Sequence, residues 1–408
     1  MSISPSKPTL RRTRFVCVSD THNAAPGGPF KLPKGDVLIH AGDLTNQGSF
    51  SELQKTIKWI EEADFECKIV IAGNHDTTLD TDFYTQYGSY IHNHNPQDPL
   101  TCQSLLGTSP SITYLQHTAA VVRLTSPTGP RTTFKIFGSP FSPAKGMWAF
   151  GYQPDDALPL WERIPLDADI VVTHTPPKYH CDERGDRRAV GCEKLRETLW
   201  RVRPRMVVCG HVHEGRGAER VLWDLEMSNV KFKEKSVERW IDPGLGNKKI
   251  SLLDLTSKLG NPLQNDGSVS DFNAENDTLD LRISRDPATI PLHSPSSSPP
   301  KSRKSSKSRK SSKSPQRKTS VIERGLSRVT TNLLAIPPEA LPLATLGQGG
   351  IPPSKRCDLE ALSGRMGRKE TCIVNAAVMA SSWPHGKGGG KRFNKPVVVD
   401  VELPVGEG

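Results

Sequence analysis

Asp36-Val-Leu-Ile-His-Ala-Gly-Asp43 is a short apolar run that stops on a Gly-Asp turn. A run of this length, bounded by turn residues, has the pattern of a buried strand. Its turn releases the Asp43 carboxylate from the sheet. Four other polar clusters also follow short β-branched runs: Asp20-Thr-His22, Gly73-Asn74-His75-Asp76, His174 and Gly210-His211-Val-His213. Five strand ends therefore carry oxygen or nitrogen donors of the metal-ligand type. In an open α/β sheet the carboxyl ends of the strands border the crevice where ligands collect. The spacing thus points to one site, with Asp43 bridging two metal ions.

Around that strand the chain alternates. Arg14–Ser19 forms a β-rich run, and a Pro/Gly loop at 26–35 leads into the central strand. Ser49 can cap a helix in which Phe50, Leu53, Ile57 and Ile60 recur at helical spacing, and Lys68–Ala72 is strand again. Strand, helix and strand within this length make a βαβ unit, so Asp43 and Asn74 share an edge. From Asp80 to Thr108 the pattern is lost among Asn, Pro, Gly and His, which predicts a lid or irregular crossover. Three β runs follow, at 112–115, 120–124 and 133–138, as antiparallel neighbours. Alternation resumes with Asp169–Thr173, a helix over Cys192–Val202 and the strand Met206–Cys209.

Charge separates the chain into parts. The net charge is +10, and Lys301–Arg328 holds eleven Lys or Arg against the single acid Glu323, which leaves the remainder balanced. A uniformly basic nucleic-acid-binding domain is therefore excluded. Two tandem copies of Ser-Arg-Lys-Ser-Ser-Lys, starting at Ser302 and Ser308, lie in this stretch. Few apolar side chains are present to offset ordering entropy, so the expectation is a disordered loop. Such a loop can bind acidic partners or an import receptor, and Ser-Pro pairs at Ser294 and Ser314 invite phosphorylation. The eight cysteines are scattered, several within apolar runs, and read as reduced core residues. Met1–Arg14 has no apolar run of the signal-peptide kind, and no stretch approaches a membrane span. The expected location is intracellular, cytoplasmic, or nuclear through the basic segment, without membrane attachment.

Taken together, Asp-x-His, Gly-Asp, Gly-Asn-His-Asp, His and Gly-His-x-His, complete and in order, resemble the calcineurin-like metallophosphoesterase family. The likeness is nearest to its metallophosphoesterase domain-containing subgroup, through Arg14-Phe-Val-Cys-Val-Ser-Asp-Thr-His22, Leu38-Ile-His-Ala-Gly-Asp43, Ile71-Ala-Gly-Asn-His75 and Gly210-His-Val-His-Glu-Gly215. The resemblance implies an α/β fold, a β-sandwich flanked by helices, here with a long disordered insertion. It implies one metal held by Asp20, His22 and His213, a second by Asn74, His174 and His211, and Asp43 shared. Two divalent ions of the Mn, Fe or Zn type suit this donor set, which lacks thiolate. The implied reaction is hydrolysis of a phosphate ester, a phosphodiester in the first instance and a nucleotide among the candidates. A bridging hydroxide serves as nucleophile and His75 as general acid. Asp76 is expected to accept a hydrogen bond from the far nitrogen of His75.

The resemblance also sets the expected domains: a flexible 1–13, a catalytic main part 14–225, an insertion 226–368 that is basic around 294–330, and closing strands in 369–408. Thr371–Val378 and Pro396–Leu403 are β-rich runs in the last of these. Plainer readings stand beside the functional ones. His40, inside its strand, reads as a buried structural histidine, and His92, His94, His117 and His180 likewise lack a motif. Arg216 is a candidate for a phosphate oxygen or a merely exposed arginine. Phe141, Met147, Trp148, Phe150 and Tyr152 read as core or interface packing before a base-stacking platform. The alternatives to a phosphodiesterase are a phosphomonoesterase or protein phosphatase, a non-catalytic metal-binding scaffold, and a nucleic-acid-associated protein acting through its basic loop.

Overall fold

Two β-sheets stack face to face, and the apolar side chains on their facing surfaces form the main core. The computed structural model describes residues 9–225, 231–265, 333–336, 368–380 and 391–406, all in one compact unit. The strands are β1 (Leu10–Val18), β2 (Val37–Ala41), β3 (Cys67–Ile71), β4 (Ile112–Tyr114), β5 (Thr118–Arg123), β6 (Thr133–Ser139), β7 (Ser142–Pro143) and β8 (Gly151–Tyr152). They continue with β9 (Ile170–Thr173), β10 (Met206–Cys209), β11 (Gly217–Trp223), β12 (Glu234–Arg239), β13 (Ser251–Leu255), β14 (Leu333–Ile336), β15 (Glu370–Asn375) and β16 (Val397–Pro404). The first sheet runs β13-β16-β1-β2-β3-β4 and the second β12-β11-β15-β10-β9-β6-β5-β14. The helices are α1 (Phe50–Glu62), α2 (Thr81–Ile91), α3 (Pro99–Gly107), α4 (Ala157–Trp161) and α5 (Glu193–Val202). The α/β sandwich expected from the sequence is present.

Strands buried on both faces need apolar residues at every position. In β1, Phe15 and Cys17 point into the inter-sheet core with Ile39, Ile69, Phe134, Val172 and Val208. Val16 and Val18 point the other way, into a second core with Leu53, Ile57 and Ile60 of α1 and Leu106 of α3. Ser49 caps α1 through a capping box: its hydroxyl accepts from the Glu52 N–H while the Glu52 carboxylate accepts from the Ser49 N–H. β1, β2 and β3 are parallel and in register, as are β6, β9 and β10. Their carboxyl ends therefore deliver the polar turns to a common edge.

Three stretches differ from expectation. Residues 10–13, expected to belong to a flexible N-terminus, are part of β1 and pair with Val401–Pro404 of β16. Residues 80–108, expected to be irregular, form α2 and α3. Asp80 and Asp98 cap them and Pro99 starts α3, while only Tyr84, Gly88, Cys102 and Leu106 are buried on them. So thin an apolar stripe leaves no periodicity to read. In the stretch 226–368, expected to be an insertion, residues 234–239, 251–255 and 333–336 are β12, β13 and β14, all at edges of the two sheets. Glu234-Lys-Ser-Val-Glu-Arg239 is mostly exposed, as befits an edge, so it carries no apolar signature. The disorder expected around 294–330, and the acidic partners or import receptor expected of that basic loop, fall outside the described residues. β15 pairs between β10 and β11, and β16 between β1 and β13. All seven described cysteines are free thiols, and no described helix is long and apolar enough to cross a membrane.

Candidate metal centre

Each candidate ligand lies within four residues of a strand end, on backbone that turns sharply out of the sheet. Asp20, His22, Asp43 and His211 have φ of 53°, 42°, 53° and 66°. Residues with side chains enter this region at a cost of about 1–3 kcal/mol each, and such strain gathers at functional sites. Glycine allows the loops to close on one another. A Cβ on Gly42, where φ is 96°, would stand 2.6 Å from both the Ala72 carbonyl oxygen and His174 Nδ1. A Cβ on Gly210 would collide with the Ser19 and Asp20 side chains.

The hydrogen bonds fix which ring nitrogens carry protons. His22 Nδ1 faces the Thr45 carbonyl at 3.1 Å, and His174 Nδ1 faces the Ala41 carbonyl at 2.9 Å. A carbonyl only accepts, so both Nδ1 atoms donate and the neutral rings present lone pairs at Nε2. Both lone pairs face the Asp43 carboxylate, which is an acceptor, and that of His174 also faces Asn74 Oδ1. His22 Nε2 lies 3.3 Å from His213 Nε2 and 3.8 Å from Asp43 Oδ2. His174 Nε2 lies 3.0 Å from Asn74 Oδ1 and 3.3 Å from Asp43 Oδ1. Asp20 Oδ1 lies 3.3 Å from His213 Nε2.

Buried acceptors crowded in this way repel one another unless a cation sits among them. Asp20, His22 and His213 form one group whose ligand atoms lie within 4.8 Å of one another, and Asp43, His174 and His211 form another. The two oxygens of Asp43 face opposite groups. These donors fit divalent cations, and the Thr45 and Ala41 carbonyls are contacts of the kind that orient a ligating histidine.

Protonation follows the same crowding. Burial pulls His174 down, yet Asp43 and Asp20 push it up to about 9. Burial acts to raise Asp43, but His174, His75 and His22 hold it well below the usual carboxylate range. A proton on His174 is thus the alternative to a cation as counter-charge. Burial pushes His22 down to about 4 and His211 to about 3, which favours the neutral form that coordination needs.

His75 stands at the edge of this cluster. Its N–H donates to Asp43 Oδ1 at 2.9 Å, and its Nδ1 faces the Asn46 carbonyl at 2.7 Å. Asn46 is itself braced by the capping box of α1, because Glu52 Oε1 accepts from the Asn46 backbone N–H at 3.1 Å and its Nδ2 at 2.8 Å. The cap that starts α1 thereby sets the orientation of His75. The Asp76 carboxylate does not serve that ring. It accepts from the N–H groups of Thr45, Leu44 and Gly73 and from the Thr45 hydroxyl, at 2.9, 3.2, 2.8 and 2.7 Å. Burial and the Asp43 charge push Asp76 up to about 7 against those donors. Its role is to tie the Asp43 loop to the Asn74 loop.

Arg216 also departs from expectation. Its guanidinium donates to Asp242 at 2.9 Å, to Ser251 Oγ at 3.3 Å and to the Lys395 carbonyl at 2.8 and 3.2 Å. It clamps the segments around β13 and β16 and is committed to them, so the phosphate-holding role is withdrawn. His40 is a buried structural histidine, with Nε2 2.9 Å from the Thr21 hydroxyl. The orienting residues the motifs did not reveal are Ala41, Thr45 and Asn46. They act through carbonyls, for which side-chain identity gives no signal.

With the cluster in place, the class is defined: residues 13–215 match the calcineurin-like phosphoesterase family model, and the chain belongs to that family. It is 43% identical over 236 residues to the probable rhamnogalacturonate lyase C of Emericella nidulans, covering 57% of this chain and 20% of that protein. It is 40% identical over 215 residues to metallophosphoesterase domain-containing protein 1 of Homo sapiens, covering 50% of this chain and 62% of that one. A UPF0046 protein of Caenorhabditis elegans is 33% identical over 211 residues, covering 50% and 70%. The chain thus spans a fifth of the first relative's length and under two thirds of the second's.

Proposed function

We propose that the protein is a metal-dependent phosphodiesterase. The observation that carries this reading is the placement of Asp43, one oxygen toward the His22 group and the other toward the His174 group. Asp20, His22 and His213 would hold one divalent ion, Asn74, His174 and His211 the second, with Asp43 common to both. Two ions so held supply charge for the phosphoryl oxygens and acidify water at neutral pH. The residues do the rest. Thr45 and Ala41 keep His22 and His174 in the Nδ1–H form, and Asp76 holds the two ligand loops at fixed separation. Asn46 accepts from Nδ1 of His75, so that in the doubly protonated ring Nε2 can deliver its proton to the leaving oxygen.

A diester is favoured over a monoester by charge. A monoester dianion calls for a cationic clamp, and the arginine nearest the His211–His213 turn is spent on Asp242. Lys391, whose Nζ reaches Asn46 Oδ1 at 3.4 Å, supplies one positive charge beside the loop of His75, which matches a monoanion. A scaffold that only bound metal would have no need of an oriented His75. The test is turnover of bis-p-nitrophenyl phosphate against p-nitrophenyl phosphate with Mn, Fe and Zn in turn. Faster hydrolysis of the diester is expected, and a strong preference for the monoester with every metal overturns the assignment.

A further inference from the structure

The aromatic run that looked like core packing in sequence is divided by the structure. Ala149 is buried and its N–H donates to the Asn74 carbonyl at 3.2 Å. Phe150 is buried, with φ of 53°, and its N–H donates to Asp80 Oδ2 at 2.8 Å. Phe141 packs edge-on to Phe150 at 6.0 Å. Two anchored residues directly after Trp148 fix where its side chain starts, yet Trp148 stays 36% exposed and Met147 49%. The indole lies against His75, with ring centroids 4.0 Å apart and planes tilted by 33°. A solvent-facing indole and thioether, carried on a chain anchored at Ala149 and Phe150 beside a buried polar cluster, are the make-up of a binding wall rather than of a core.

His75 limits what can touch that wall. In hydrolysis the P–O bond to the leaving alcohol breaks, water oxygen forms the new P–O bond, and the His75 proton passes to the alcohol. The proton shed by water goes to solvent. The group attached to the leaving oxygen must then extend past the His75 ring, where Trp148 lies. We propose that Trp148 is a specificity-determining residue that stacks on a flat aromatic ring of the leaving alcohol, so that the substrate is an aryl or nucleoside ester. This rests on His75 as general acid. An indole face favours offset stacking with any planar π-system, which explains why a ring rather than an aliphatic chain is selected.

The test uses the full metal-loaded chain and separates stacking from catalysis. Calorimetry compares phenylphosphonate with methylphosphonate on wild type, Trp148→Ala and Trp148→Phe. The phenyl preference should fall about tenfold in the alanine variant, the scale of one stacking contact, and survive in the phenylalanine variant. In kinetics, methyl phenyl phosphate and the methyl ester of adenosine 5′-monophosphate should show a raised KM in Trp148→Ala. Methyl hexafluoroisopropyl phosphate, whose leaving alcohol has similar acidity to phenol but no ring, should not. A loss confined to the adenosine ester identifies the ring as a nucleobase, and one confined to the phenyl ester identifies an aryl group. Equal changes for all three esters, or a shift of the kcat pH profile common to all, would show that Trp148 only shields His75 and overturn the proposal. Absence of turnover with a Trp148-dependent phenyl preference refutes the acid role of His75 while upholding the stacking.

Discussion

Replacing Asp76 with asparagine swaps one carboxylate oxygen for an amide NH2 in a pocket lined with donors. Oδ1 accepts from the Thr45 N–H and hydroxyl, and Oδ2 from the Gly73 and Leu44 N–H groups. The amide will turn its NH2 toward Thr45, where the hydroxyl can rotate to accept. That leaves the buried Thr45 N–H facing a donor, at about 1–3 kcal/mol. At pH 8, where the carboxylate is mostly ionised, the remaining two bonds lose their charge assistance, which brings the expected destabilisation to about 2–4 kcal/mol. Because the tied loops carry Asp43 and Asn74, metal affinity should fall about 10–100-fold. Urea denaturation of chelator-treated protein measures the first effect, and metal titration the second. A variant within about 0.5 kcal/mol of wild type that binds metal normally refutes the loop-tie role, since surface-like neutrality would be its meaning. If only the pH profile of kcat moved, Asp76 would be the His75 partner after all.

His75→Ala should keep full metal content, because its contact with Asp43 is made by the backbone N–H, yet lose about 10²–10⁴-fold in kcat on esters with poor leaving groups. Activated p-nitrophenyl esters should suffer less, and equal losses would count against the acid role. Arg216→Ala should cost roughly 3 kcal/mol in stability by stranding Asp242, with KM unchanged; a raised KM at normal stability would return it to the substrate site. His180 is buried between Glu219 at 3.0 Å and Glu234 at 3.1 Å, and despite burial these carboxylates push it from 6.5 up to about 9. A raised folded-state pKa means that its contribution, about 2–3 kcal/mol, is complete below about pH 6.5 and lost as pH rises through about 9. Denaturation midpoints from pH 6 to 10 should show that decline in wild type and a flatter profile in His180→Gln; parallel profiles would rule the clamp out.

The legible part of this fold was its strand ends. Asp20, Asp43, Asn74, His174 and His211 each follow a run too apolar and too short to be other than strand, and polar residues there have one place to go. The elements that escaped do so for physical reasons. β12 alternates nothing because an edge strand in water needs no apolar face, and α2 and α3 are held by aspartate caps on each first turn and few buried side chains. Within the site, donor types were readable but their support was not. Asp76 looks adjacent to His75 in sequence, yet the 3-10 turn at Thr77–Leu79 sends its carboxylate to Thr45 and Gly73. Trp148 and Phe150 lie in one aromatic run, and the hydrogen bonds of the Ala149 and Phe150 N–H groups to Asn74 and Asp80 separate the buried ring from the solvent-facing one.

In the proposed centre one carboxylate, that of Asp43, holds two metal ions together. Elemental analysis of wild type and Asp43→Asn, reconstituted in parallel with Mn or Zn and desalted, tests it most directly. Two ions per wild-type chain and fewer than one in the variant, with hydrolysis lost alongside, is the predicted result. Two ions per variant chain with turnover near that of wild type would contradict it.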